Sequence, residues 1–294
     1  MTEENPSKRR SKPVAYDVKI INSGGIREVY RYGETRFQGF ERSKNYGANK
    51  QMLVSDVDKE TGEIIQREAT EKEAEAIREE TRLESRQKSN IRARNDLRRL
   101  VANNFSKRSQ FITLTFRENI QDIELANKTF KRFIKYMNED LRKLGRKLKY
   151  VAVIEFQKRG AIHYHMICEG RPRNYPYANE INRWNQAIRS VTGARGETVG
   201  IVKIHDINHV KNVGRYVVKY MTKSDADKRL FGKKLYQTSR GLIRPTEKTY
   251  RIRSEEEFQE LLKELGVRDK KIVFASSYLD QFTGATVEYF EVNS

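Results

Sequence analysis

The sequence predicts an α+β protein in which helices flank a central, largely antiparallel sheet. Three observations carry this. Phe111-Ile-Thr-Leu-Thr-Phe116 and the two runs within residues 150–167 are rich in β-branched and apolar residues, and several alternate as strands do. Residues 122–144 place Ile123, Ala126, Phe130, Phe133, Ile134 and Met137 at helical spacing, with Lys128, Lys131, Arg132 and Lys135 on the other face. The order strand, helix, strand, strand, helix, strand, helix, with a tight turn between the two middle strands, suits an antiparallel sheet backed by helices.

Taken in order, residues 1–13 are polar and basic and read as a disordered tail, with neither a signal peptide nor a membrane span. Residues 14–66 form a β-rich accessory region. There 16–21 and 27–32 flank Asn22-Ser-Gly-Gly25 in a hairpin pattern, a weaker strand follows at 52–54, and Glu60-Thr-Gly-Glu63 reads as a turn. Residues 67–224 form the core with a leading charged helix over 70–104. That helix is acidic first and basic later, with Arg92, Arg94, Arg98 and Arg99 near its end, where they can meet a phosphate backbone. A helix over 178–191 contains Trp184, a strand follows at 201–204, and a helix runs from Asn208, a residue suited to cap it, to Thr222. Residues 225–294 form a C-terminal accessory segment with a helix near 254–265 and a terminal hairpin, 272–278 with 286–292. No repeat is present, and no Gly-x-x-x-x-Gly-Lys-Ser/Thr loop, so the chain encodes no ATP-driven helicase.

The balance of 59 Lys and Arg against 40 Asp and Glu gives a formal charge of +19 and a pI near 9.8. An excess of that size points to a polyanion, nucleic acid above all, bound with a steep salt dependence. A membrane surface is disfavoured, because no basic helix shows a clean apolar face. Cys168 is the only cysteine, which excludes a disulfide framework and a cysteine-based zinc module and suits the reducing cytoplasm.

The chemistry concentrates in residues 150–167. Two short strands are joined by Lys158-Arg159-Gly160, a three-residue loop ending in a glycine that accepts positive φ. With that loop, Gln157 pairs with Ala161, Phe156 with Ile162, and Glu155 with His163. Strand residues two apart share a face, so His163, His165 and Glu155 stand together. A four-residue loop would instead turn Glu155 to the wrong face. Two imidazoles and a carboxylate with open coordination positions suit Mg²⁺ or Mn²⁺ acting as a Lewis acid better than a closed zinc site.

A second cluster lies in Gly214-Arg-Tyr-Val-Val-Lys-Tyr-Met-Thr-Lys223. Tyr216, Lys219, Tyr220 and Lys223 fall at i, i+3, i+4 and i+7, one stripe of a helix, while Val213, Val217, Val218 and Met221 supply packing. A phenol is a weak nucleophile at its ordinary pKa near 10. Beside a metal that draws charge from a phosphate it can attack and form a covalent intermediate, with lysines stabilising the developing charge.

Phe111-Ile-Thr-Leu-Thr-Phe116, Gly160-Ala-Ile-His-Tyr-His-Met-Ile167 and Tyr216-Val-Val-Lys-Tyr220, in that order, resemble the three motifs of HUH endonucleases. The likeness is to their rolling-circle replication initiator (Rep) branch, found in plasmids, integrated elements and small phages, and it covers roughly residues 92–223. Tyr164, between the histidines, departs from the commoner aliphatic choice. The resemblance implies a five-stranded antiparallel sheet with His163 and His165 on a central strand and the tyrosine helix alongside. It implies one divalent ion held by His163, His165 and Glu155, and a site-specific nick in single-stranded or hairpin origin DNA. Tyr216 attacks, leaving a 5′-phosphotyrosyl bond and a free 3′-OH that primes synthesis. Tyr220 either performs a second transfer or is unused, with Lys219 as the assisting lysine. Arg92, Arg94, Arg98, Arg99, Lys131, Arg132, Lys135 and Lys223 are the expected DNA contacts, and host helicase and polymerase the expected partners.

Related readings fit less well. Relaxases usually place the tyrosine before the histidines, and two-tyrosine transposases usually carry a cysteine-rich zinc module. A basic module that only binds single strands explains the charge but not the shared face of Glu155, His163 and His165.

Overall fold

The computed structural model describes residues 13–39, 53–58, 61–171, 176–223, 227–267 and 272–293. The tail expected over residues 1–13 lies, apart from Pro13, outside the described residues, as does Met52 at the start of the weak strand. In chain order the elements are β1 (Val14–Ser23), β2 (Ile26–Gln38), β3 (Leu53–Val57), β4 (Ile64–Glu68), α1 (Glu71–Asn104), β5 (Gln110–Phe116), α2 (Ile123–Arg142), β6 (Lys149–Phe156), β7 (Ile162–Glu169), α3 (Tyr177–Thr192), β8 (Gly200–His205), α4 (Val213–Thr222), a 3₁₀ turn (Lys228–Leu230), β9 (Tyr236–Thr238), β10 (Thr246–Tyr250), α5 (Glu255–Glu264), β11 (Ile272–Leu279) and β12 (Thr286–Asn293). The fold is α+β with antiparallel sheets, as the sequence predicts. No helix among the described residues is long and apolar enough to cross a membrane.

Two compact units emerge. Unit 1 comprises Met1–Asn22, Ile26–Lys88 and Glu247–Ser294, and unit 2 comprises Ser23–Gly25 and Ser89–Thr246. In unit 1 the two ends of the chain share one sheet, ordered β10-β1-β2-β12-β11. Both expected hairpins are present, and β12 joins them by pairing Tyr289 with Tyr30 on β2 and with Ser276 on β11. One sheet face is sealed by α5, whose Phe258, Leu261 and Leu262 pack with Val18, Ile20, Val29 and Val292. Ser254 caps α5 by accepting from the Glu257 amide. Strands β3 and β4 form a separate ribbon with Gly62 at φ 74° in the turn between them.

Unit 2 holds a second antiparallel sheet, ordered β8-β5-β7-β6-β9, with β7 in the centre. Alternation along the strands gives it two different faces. One carries Ile112, Leu114, Phe116, Tyr164 and Met166 under α2 and α3. Phe130 of α2 stacks on Tyr164 at 4.5 Å between ring centres, and Trp184 of α3 meets Phe116 at 4.9 Å while its indole N–H donates to the Thr115 carbonyl at 2.9 Å. Truncating a buried aromatic of this kind costs about 3–5 kcal/mol. Tyr164 suits its place between the histidines for the same reason: its ring is fully buried, and its hydroxyl donates to Asn127 at 2.8 Å. The other face carries Phe111, Thr113, His163 and His165, and α4 lies over it, with Tyr216 at 5.0 Å from Phe111 and Tyr220 at 3.9 Å from His165.

Three boundaries differ from the sequence reading. Unit 2 continues past residue 224 to Thr246, because the three residues of β9 add a fifth strand beside Val151–Val153 of β6. The charged helix begins at Glu71 in a capping box, the Thr70 amide donating to Glu73 at 2.8 Å, and its residues from Ser89 onward belong to unit 2, where Leu97, Leu100 and Val101 are buried. The helix expected from Asn208 starts five residues later. Asn212 is its cap, accepting from the Arg215 amide at 2.9 Å, whereas residues 206–210 form a turn in which Val210 donates to the Ile207 carbonyl and Ile207 is buried. The buried side chain holds the turn, and the helix cannot begin until the chain leaves it.

Gly214 sits where α4 crosses α1. A Cβ there would lie 2.6 Å from the Arg98 carbonyl oxygen, well inside contact distance. Gly214→Ala is expected to lower stability by about 1–3 kcal/mol through overpacking. Urea unfolding of the variant beside the parent checks this, and an unchanged midpoint would show that α4 and α1 yield freely.

Candidate active site

The β6–β7 turn sets the site. Gly160 has φ 83°, its amide donates to the Gln157 carbonyl at 2.8 Å, and the Gln157 amide donates to the Ala161 carbonyl at 2.9 Å. The pairing that follows is Phe156 with Ile162 and Glu155 with His163, as a three-residue loop requires. Glu155, His163 and His165 therefore share the face that α4 overlies.

Within that face the three side chains are not equivalent. Glu155 is held from two sides: Oε2 contacts Nε2 of His165, and Oε1 accepts from Nζ of Lys223 at 2.5 Å. Burial would raise its pKa, but the bonds to His165 and Lys223 outweigh it and hold the carboxyl down at about 2. The Nε2 atom of His163 is buried without a hydrogen-bond partner. Burial, reinforced by the charge of His165, pushes the His163 imidazole down to about 4, so near neutrality it presents a lone pair.

The tyrosines and Lys219 complete the arrangement. The Tyr220 ring stacks on His165, and its hydroxyl donates to the Tyr216 oxygen at 3.0 Å. Burial and that hydrogen bond push the Tyr220 phenol well above its ordinary pKa. Lys219 places Nζ 4.0 Å from the centre of the Tyr216 ring and 4.9 Å from that of Tyr220, and Lys223 stands 5.3 Å from Tyr220. The stripe read from the sequence is therefore one physical cluster: Tyr216, Lys219, Tyr220 and Lys223 meet the histidine strand.

Glu155, His163 and His165 stand on one face but do not converge as they are placed, since Glu155 turns to His165 and Lys223. Among the described residues no group of three or more His, Cys, Asp or Glu side chains is arranged to hold a metal ion. The donor chemistry nevertheless fits one: an unpartnered buried imidazole nitrogen and an ionised carboxylate beside a second imidazole form a nitrogen–oxygen set with net negative charge.

The expected DNA contacts divide. Arg92, Arg94, Arg98 and Arg99 are on α1, which meets α4 at Gly214, and Arg99 pairs with Asp96 at 3.9 Å. Lys131, Arg132 and Lys135 are on α2, across the sheet from the tyrosines. Two polar residues escaped the sequence reading as parts of the site. Thr113, paired with His165 across β5 and β7, is within 3.2 Å of His165 Nδ1 and 3.0 Å of His205 Nε2. Alternation in Phe111-Ile-Thr-Leu-Thr-Phe116 already puts Thr113 on one face with Phe111, but only the cross-strand register shows that this is the histidine face.

Charge is divided as sharply as chemistry. Unit 2 holds 34 of the Lys and Arg and 13 of the Asp and Glu, a net +21, which leaves 25 and 27 in unit 1, a net −2. The whole basic excess lies in the unit that carries the site.

Residues 109–225 match a family model for replication-associated proteins of the ORF2 type, a segment that runs from β5 through α4. No curated protein and no solved structure matches the chain. The family match supports a role in replication initiation.

Proposed function

We propose that unit 2 is a nicking and joining endonuclease that opens one strand of origin DNA through a tyrosine and so starts rolling-circle replication. The observation that carries this is the Tyr216–Tyr220 pair, hydrogen-bonded together over His165 with the ammonium of Lys219 against both rings. Phenols, a lysine cation and a histidine–carboxylate set in one cluster are the parts that phosphoryl transfer to tyrosine needs.

The net +21 of unit 2 draws the strand in and supplies most of the sequence-independent affinity. Lys219 and Lys223 offer positive charge where a scissile phosphate meets the tyrosines. Oη of Tyr216 forms a bond to phosphorus as the P–O3′ bond breaks, and the phenol proton ends on O3′. The products are a 5′-phosphotyrosyl ester on the protein and a free 3′-OH for a host polymerase. Tyr220, which donates its hydroxyl hydrogen to the Tyr216 oxygen, steadies the charge that gathers there. Once Tyr216 is esterified, Tyr220 is the phenol placed to accept a second strand transfer. His163, His165 and Glu155 would hold one Mg²⁺ or Mn²⁺, which supplies Lewis-acid polarisation of the phosphate when bound. Strand separation falls to a host helicase, and the setting is the cytoplasm of a bacterial host.

The test is incubation of single-stranded origin oligonucleotides with the protein and Mn²⁺ or Mg²⁺, resolved on a denaturing gel. The parent is expected to give a metal-dependent nick and a covalent band. Tyr216→Phe and His163→Ala are expected to lose both by at least about 10³-fold, the scale set by removal of a nucleophile. Tyr220→Phe should still nick, more slowly, and fail to rejoin. Binding without cleavage on every origin strand would leave a binding module in place of an enzyme.

The position of α2 gives a separate expectation. Lys131→Ala, Arg132→Ala and Lys135→Ala combined should weaken DNA binding and flatten its salt dependence, because each lost phosphate contact lowers the slope by about one. The cleavage rate at saturating DNA should stay within about twofold, since this helix lies across the sheet from the tyrosines. A large fall in that rate would place the reacting strand on the α2 side.

A further inference from the structure

The pair Thr113 and His205 has no part in the reading above, and its geometry carries a role. His165 can serve a cation only through Nε2, the nitrogen that faces Glu155. That nitrogen must then be free of hydrogen, which obliges Nδ1 to carry it. Nδ1 lies 3.2 Å from Oγ1 of Thr113, in a pair buried between β5 and β7. Nδ1–H therefore donates to the threonine oxygen. A threonine hydroxyl has one hydrogen of its own, and the remaining polar neighbour in reach is His205 Nε2 at 3.0 Å, on β8. The hydroxyl donates to that nitrogen, so His205 carries its own hydrogen on Nδ1. The three bonds run in one direction, and each group has the donor or acceptor its neighbour requires.

We propose that Thr113 and His205 form a positioning relay that fixes the ring and the tautomer of His165, so that Nε2 is presented with its lone pair toward Glu155. Neither residue touches the reacting atoms. Both act through His165, in the way that outer partners of metal-binding histidines set ring orientation and basicity. The alternative tautomer would turn Nε2–H toward Glu155 and make a stable neutral hydrogen bond in place of a ligand. Thr113 prevents this only while its own hydrogen is taken by His205. Three adjacent strands of the central sheet, β7, β5 and β8, thus each give one residue to the chain. The proposal rests on the metal reading of His165, and its test separates the two.

The tautomer of His165 is read in the full-length protein, without metal, by long-range ¹H–¹⁵N correlation of the imidazole nitrogens. Mn²⁺ affinity is then measured by calorimetry. Thr113→Val keeps the shape of a strand residue and removes the hydroxyl, Thr113→Ser restores the hydroxyl, and His205→Ala removes the end of the chain. The parent is expected to show His165 with hydrogen on Nδ1. Thr113→Val should lose that single tautomer and bind Mn²⁺ about 10- to 100-fold more weakly, the range for loss of an outer partner. Thr113→Ser should recover both, and His205→Ala should show the same changes in smaller degree. Thermal unfolding of each variant establishes that the sheet is intact. An unchanged tautomer and an Mn²⁺ affinity within twofold of the parent in folded Thr113→Val would overturn the relay. A parent that shows the Nδ1–H tautomer yet binds no Mn²⁺ would retain the relay and overturn the metal reading instead.

Discussion

A slip of one residue between β6 and β7 would turn Glu155 to the face of α2 while leaving His163 and His165 under α4. The turn prevents it. Gly160, at φ 83°, closes a loop of three residues that only a residue without a Cβ enters readily, and the Gln157–Ala161 and Gln157–Gly160 bonds lock it. From that register follow the shared face of the acid and the histidines and the stacking of Tyr220 on His165. The contact of Lys223 with Glu155 follows as well. The aromatic packing of Phe130 on Tyr164 holds the opposite face, so the central strand is fixed from both sides.

Much of this was legible in the sequence because it is local. The hairpin register needed only the count of residues between Glu155 and His163, and the tyrosine–lysine stripe needed only helical periodicity. The antiparallel sheet followed from the order of elements. What was not legible depends on contacts distant along the chain. Strand β9 is three residues long and has no pattern of its own; it is a strand because β6 offers an open edge. The pairing of β2 with β12 joins residues more than 250 positions apart, and neither strand's alternation names its partner. The start of α4 at Val213 rather than Asn208 was set by the buried Ile207, a tertiary fact that the cap residues alone do not encode. Thr113 and His205 belong to the same class, since two strand registers must be known before they meet.

The separation of charge gives the molecule a division of labour in physical terms. Unit 2 carries a net +21 around a cluster that is itself built from one acid, two imidazoles and two lysines, so a phosphate entering it meets an attractive field and few competing carboxylates. Glu155 is the exception, and its low pKa is the mark of the cations around it. Unit 1, near neutrality at −2, contributes little to that field, so any part it plays in choosing an origin rests on shape and on specific side chains. In the free protein the ammonium of Lys223 neutralises Glu155, and phosphate and a divalent ion would compete for the two members of that pair.

The central claim is that Tyr216 carries the severed strand. The chain suits a direct test, because trypsin cuts after Arg215, Lys219 and Lys223 and so places the two tyrosines in separate peptides, Tyr216-Val-Val-Lys219 and Tyr220-Met-Thr-Lys223. The covalent complex formed on an origin strand would be digested with nuclease and trypsin and analysed by mass spectrometry. The account predicts a nucleotide adduct, joined through its 5′-phosphate, on the peptide containing Tyr216 after a single turnover. An adduct confined to the Tyr220 peptide, or found on neither, would contradict it.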